Sequence, residues 1–116
     1  MNDVSGNTEY VKAAKVSELR ENRCKLIVVN DEEVALWRVE GGYYAINNTC
    51  PHQHFSVLHQ GTLEGTNLTC PMHGWTFSLK SGQAINGDGK ARIYRTSVFG
   101  DDIFVEKPGD KWSGAV

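Results

Sequence analysis

No apolar run in this sequence approaches the roughly 20 residues that a membrane-crossing helix needs, so a helical membrane protein is not expected. The opening stretch Met1–Tyr10 is polar and lacks the basic-then-apolar layout of a secretory signal, which makes the cytoplasm the expected address. A basic stripe is missing too. With 12 Lys and Arg against 14 Asp and Glu the formal net charge is −2, and no patch stands out to displace the counterions condensed on a nucleic acid. There is no internal repeat, low-complexity tract or linker. At 116 residues, 40% hydrophobic and 22% charged, the chain is expected to form one globular domain on its own core. Cysteine is scarce, and three residues, an odd number, cannot all pair within the chain.

Sustained helical periodicity is absent as well, with only Val16–Asn22 suited to a turn or two of helix. What is present is a series of short apolar runs separated by turn residues, the pattern of many short strands. The candidates are Glu9–Ala13, Leu26–Val29, Val34–Val39, Tyr43–Asn47, Asn67–Cys70, Thr76–Leu79, Ile93–Phe99 and Ile103–Glu106. Asn30-Asp31, Gly41-Gly42, Glu64-Gly65-Thr66-Asn67, Ser81-Gly82 and Gly100-Asp101 carry turn chemistry between them. All four histidines lie in or beside the loop-rich stretch between Tyr43–Asn47 and Thr76–Leu79.

Chemistry concentrates in two segments, Cys50-Pro51-His52 and Cys70-Pro71-Met72-His73-Gly74-Trp75. Each pairs a cysteine with a histidine beside a proline that stiffens the loop. Two thiolates and two imidazoles suit a diiron cluster of mixed ligation, with sulfur on one iron and nitrogen on the other. The same four groups could close a tetrahedron around zinc. Structural zinc sites, however, usually take Cys-x₂₋₄-Cys and His-x₃₋₅-His pairs, whereas each pair here mixes types.

At these residues the sequence resembles the Rieske family, with its Cys-x-His, a spacer (here the 17 residues Gln53–Thr69) and Cys-x-x-His. Leu58-x-x-Gly61-x-Leu63-Glu64-Gly65 resembles the family's link between the two loops. His73-Gly74-Trp75-x-Phe77 with Gly82 resembles the strand after the second, and Tyr94–Glu106 the closing hairpin. The likeness runs over residues 8–107 and is specific over 45–82. It implies a mostly β fold of small antiparallel sheets: a sandwich base over 8–44 and 83–107, and a cluster-binding part of two loops over 45–82. It further implies one [2Fe–2S] cluster held by Cys50, His52, Cys70 and His73.

Departures from the family sharpen the expectation. Where respiratory and photosynthetic members pair an extra cysteine in each loop, this chain has Phe55 and Met72. Where they place serine and tyrosine hydroxyls near cluster sulfur, it has Trp75 and Phe77. Losing hydroxyl donors to sulfur lowers the potential, so the resemblance points to the low-potential branch. That branch contains ferredoxins passing electrons from a flavin-dependent reductase to a terminal oxygenase, and the small subunit of NAD(P)H-dependent nitrite reductase, fixed to a large reductase subunit. Gly87-Asp88-Gly89-Lys90 replaces the proline-bearing third loop of many relatives, which leaves its shielding role open. No nucleophile pair, mononuclear iron triad or substrate pocket is legible, so the chain is expected to transfer electrons rather than catalyse alone. The remaining polar and aromatic candidates read as structural. Cys24 is expected to be a small buried strand residue, His59 a solvated loop residue, and Trp37 and Trp112 packing or surface residues. His54 could compete with His52 as ligand, but the Cys-x-His register favours His52 and makes His54 a surface neighbour. The acidic clusters Asp31-Glu32-Glu33 and Asp101-Asp102 read as solvated turns, with docking of a basic reductase as the alternative.

Overall fold

The run Val34–Val39 alternates between two apolar sets rather than between apolar and polar residues, and a strand with two apolar faces must lie between two layers. The computed structural model describes residues 9–50, 56–72, 74–87 and 89–107, and it places this run in that position. Its strands are β1 (Tyr10–Lys15), β2 (Arg23–Val29), β3 (Glu32–Val39), β4 (Gly42–Asn47), β5 (Thr62–Glu64), β6 (Asn67–Thr69), β7 (Thr76–Ser78), β8 (Ile93–Tyr94), β9 (Thr96–Phe99) and β10 (Asp102–Glu106). They form three antiparallel sheets, ordered β2–β3–β4–β8, β1–β10–β9 and β5–β6–β7.

The four-stranded sheet lies in the middle. From one face of β3, Val34 and Leu36 pack with Ile103 and Val105 of β10 and with Leu19. From the other, Ala35, Trp37 and Val39 pack with Leu68 of β6, Phe77 of β7, Leu58 and the thiols of Cys50 and Cys70. The expected mostly β fold of small antiparallel sheets is therefore the observed one.

Several details differ from the sequence expectation. Thr62–Glu64 is a strand that its mixed composition hid, made by hairpin pairing with β6 through Gly65-Thr66. The expected single strand Ile93–Phe99 is two strands that switch sheets at Arg95. There the Arg95 N–H donates to Glu106 Oε1 at 3.0 Å, and the Arg95 carbonyl accepts from the Glu106 N–H at 2.8 Å. Val16–Asn22 yields only the 3₁₀ turn Val16–Glu18, held by the Glu18 carboxylate accepting from the Lys15 N–H at 2.9 Å.

The turns follow backbone handedness. Asn30 and Asp31 both take positive φ, 52° and 69°, as a two-residue hairpin between twisted strands prefers. The β3–β4 turn lies one residue before its expected place, at Glu40-Gly41, with φ of 52° and 79°. Both of its N–H groups donate to the Glu21 carboxylate, which braces a glutamate in a conformation side chains disfavour. No helix among the described residues is long and apolar enough to cross a membrane.

Gly82 is constrained twice. Its φ is +81°, and a Cβ there would stand 2.2 Å from the Ala91 carbonyl oxygen, whose backbone N–H donates to the Gly82 carbonyl at 2.8 Å. Gly82→Ala is expected to destabilise the protein by about 2–4 kcal/mol, combining left-handed backbone strain with overpacking. Urea denaturation measures it, and a loss below about 1 kcal/mol would contradict the crowding argument.

Candidate metal centre

Cys50 follows β4 after two residues, and the sequence supplies a polar anchor between them. Asn48 is fully buried and is the one buried polar side chain among the described residues. Its Nδ2 donates to Glu33 Oε1 at 3.1 Å, and its Oδ1 accepts from the His59 N–H at 2.6 Å and lies 3.1 Å from His59 Nδ1. Its backbone N–H donates to the Glu33 carbonyl at 2.9 Å and its carbonyl accepts from Leu58 at 3.1 Å. The Thr49 N–H donates to Asn47 Oδ1 at 2.9 Å, and Thr49 bridges to Ser56. The base of the first Cys/His segment is thereby closed, with Cys50 at 0% exposure.

The second segment connects β6 to β7. Thr69 pairs with Thr76, their hydroxyls 2.8 Å apart. Within the connection the Cys70 N–H donates to the Trp75 carbonyl at 2.7 Å, and the Gly74 N–H donates to the Cys70 carbonyl at 3.1 Å. Gly74 takes φ +74°, and beyond its chain neighbours no described atom stands within 4 Å of where a Cβ would be, so the glycine serves backbone conformation. Cys70 is 1% exposed. Gly61 brings the link to this hairpin, since a Cβ there would stand 2.6 Å from the Thr69 carbonyl oxygen.

Cys50 and Cys70 thus belong to one apolar cluster and neither is in a disulfide. Two buried thiols from two separate loops fit a cluster that takes one thiolate from each. His52 and His73 lie outside the described residues, as do His54, Phe55, Asp88 and Trp112. Among the described residues there is no group of three or more His, Cys, Asp and Glu that could hold a metal ion, and of the expected quartet only the two thiols are described. Met72, 45% exposed, cannot supply a disulfide, and Phe77, fully buried, offers no hydroxyl.

Other candidates need correction. His59 is half-buried and bonded to Asn48 rather than solvated. Glu32 and Glu33 are not merely solvated. Glu32 accepts from the Tyr94 hydroxyl at 2.6 Å and pairs with Arg92 at 3.2 Å, while Glu33 holds Asn48. Burial and the Glu32 hydrogen bond push the Tyr94 hydroxyl up to about 12. Asp102 pairs with Lys12 at 3.3 Å. Cys24 is half-buried rather than buried and lines, with Trp37 and His59, a cleft of about 590 Å³. Trp37 packs in the core as expected, 5% exposed. Asn48 and Asn86 escaped the sequence reading, although Asn86-Gly87 is a turn signal.

Comparison with known proteins agrees with this geometry. A family model described as Rieske [2Fe-2S] domain matches residues 9–106. The ferredoxin component of an alkene monooxygenase system from Xanthobacter autotrophicus is 36% identical over 78 residues, 67% of this chain and 64% of that protein. The ferredoxin of carbazole 1,9a-dioxygenase from Nocardioides aromaticivorans superposes with a TM-score of 0.80 at 25% identity, over 85% of this chain and 98% of that one. A Mycobacterium tuberculosis structure described as an NADH-dependent nitrite reductase small subunit gives 0.81 at 20% identity, over 88% and 97%.

Two measurements check the site. Replacing Asn48 by Ala leaves a carboxylate and an N–H short of partners and is expected to cost about 1–3 kcal/mol, read by urea denaturation. Burial pushes the Cys24 thiol up to about 12 from an ordinary thiol value of 9.0. An acid whose folded value is raised contributes stability that is complete below the unfolded value and lost between about 9 and about 12. At pH 8, alkylation of Cys24, mapped by mass spectrometry, is therefore expected to be orders of magnitude slower in folded than in unfolded protein, and equal rates would contradict the burial.

Proposed function

This chain belongs to the Rieske [2Fe-2S] domain family, and from that premise we propose that it is a ferredoxin carrying single electrons from a flavin-dependent reductase to a terminal oxygenase. Membership brings one Rieske-type [2Fe–2S] cluster and sets aside the zinc reading. When bound, the cluster supplies a one-electron couple. The observation that carries the proposal is the burial of Cys50 and Cys70 together, on separate loops, in one apolar cluster. We assign thiolate ligation to these two residues and imidazole ligation to His52 and His73. In this reading residues 45–82 form the cluster-binding part on a base of 8–44 and 83–107.

The chain's own residues do three things. Cys50 and Cys70 bring sulfur into a region from which Leu58, Leu68 and Phe77, all fully buried, exclude water. The hydrogen bonds around Asn48 and across Cys70–Trp75 tie the described base of each loop to the sheets. Trp75 and Phe77 withhold hydroxyl donors from sulfur, which keeps the electron at low potential. A low-potential carrier suits NAD(P)H-reduced flavin as donor, and the address we propose is cytoplasmic. An oxygenase as acceptor is favoured by the ferredoxins of monooxygenase and dioxygenase systems among the relatives. The alternative, a small subunit fixed in an NAD(P)H-dependent nitrite reductase, rests on a likeness that speaks to fold.

Protein matured with intact cluster assembly is expected to contain about two irons and two sulfides per chain. His52→Ala is expected to abolish the reduced-state electron paramagnetic resonance signal and His54→Ala to keep it; the reverse would move the ligand to His54. The midpoint potential is expected at about −150 to −50 mV, the lower end of the Rieske range. A midpoint well above zero in direct electrochemistry would reject the low-potential carrier and leave the cluster assignment standing.

A further inference from the structure

The segment Ile85–Gly87, which leads into the Gly87-Asp88-Gly89-Lys90 loop, grips the second Cys/His loop in three ways. Asn86 Nδ2 donates to the Gly74 carbonyl at 2.9 Å, and Asn86 Oδ1 accepts from the Thr76 N–H at 2.9 Å. One side-chain amide therefore binds the backbone on both sides of Trp75, as a neighbouring strand's peptide would. The Ile85 N–H donates to the Thr76 carbonyl at 2.8 Å. Gly87 lies against the indole itself, where a Cβ would stand 1.4 Å from a ring carbon of Trp75. No residue larger than glycine fits there unless Trp75 moves.

We propose that Asn86 and Gly87 form a clamp that positions the second ligand loop, with Asn86 a positioning residue acting through Gly74. The inference rests on the electron-carrier reading. Gly74 directly follows His73 and sits at φ +74°, a backbone state with neighbouring alternatives that glycine reaches at little cost. The Gly74 N–H is already bonded to the Cys70 carbonyl inside the loop. The amide of Asn86 ties the Gly74 carbonyl from outside it, and Gly87 leaves the space in which the Trp75 indole rests. Partners that orient ligands from behind tune both the retention of a metal group and its electronic state.

The test uses the full chain loaded with its cluster, comparing wild type with Asn86→Ala, Asn86→Asp and Gly87→Ala. Asn86→Ala removes both amide contacts, whereas Asn86→Asp keeps the acceptor for Thr76 and loses the donor to Gly74. The readouts are the g-values of the reduced state, the midpoint potential and the rate at which visible absorbance is lost to a chelator. Asn86→Ala is expected to shift the g-values and to lose the cluster about tenfold or more faster than wild type. Asn86→Asp is expected to show a shift in the same direction. Gly87→Ala is expected to change Trp75 fluorescence together with the g-values. Wild-type g-values and loss rate in Asn86→Ala would overturn the clamp, provided its far-ultraviolet circular dichroism matches wild type. Should that variant fail to fold, unshifted g-values in Asn86→Asp would overturn it equally. The wild-type signal alone tests the carrier reading; only the difference between variants and wild type tests the clamp.

Discussion

Two-sided burial of β3 is the constraint on which the molecule depends. A strand has two faces, and in β3 both are apolar and both are covered. Slipping its register by one residue would exchange Val34 and Leu36 for Ala35, Trp37 and Val39, and neither covering sheet would find the side chains it packs against. The site inherits that certainty. Cys50 lies just past the strand that pairs with β3, and Cys70 begins the connection that leads into Phe77, whose ring packs in the core beneath β3.

Inside that apolar setting Asn48 is the one fully buried polar side chain among the described residues. Asn48 has each arm of its amide in use, joining the start of β3, the end of β4 and the 3₁₀ turn Leu58–Gln60. A buried amide is costly unless satisfied, and once satisfied it admits only one arrangement of the segments it joins. Asn86 does comparable work at the surface. Each loop with a candidate ligand cysteine is thus tied by an asparagine that belongs to neither Cys/His motif.

Much of this was legible in residues whose chemistry is local. The two Cys/His segments, the left-handed turn at Asn30-Asp31 and the apolar strands announce themselves by type and spacing. The parts that were not legible depend on partners distant in sequence. β5 exists because β6 pairs with it, and the break at Arg95 exists because two sheets compete for one run of chain. His59, Glu32 and Glu33 looked solvated because ordinary polar residues give no hint of a buried amide or a tyrosine hydroxyl waiting across the fold. The grip of Gly87 on Trp75 is a matter of shape, and shape is invisible until the chain has folded.

The topology also sets an order of assembly. The sheet β5–β6–β7 is built from successive hairpins within Thr62–Ser78, so its pairings close short loops. By contrast β1 meets β10 only when Tyr10 finds Glu106, nearly the whole described chain away. The second pairing closes the longer loop and carries the larger closure entropy. The β6–β7 connection beginning at Cys70 can therefore take shape while the outer sheet is still open. On a chain made from its N-terminus, Thr69 can meet Thr76 around Cys70 while Tyr10 still waits for β10, the last of the described strands to be made.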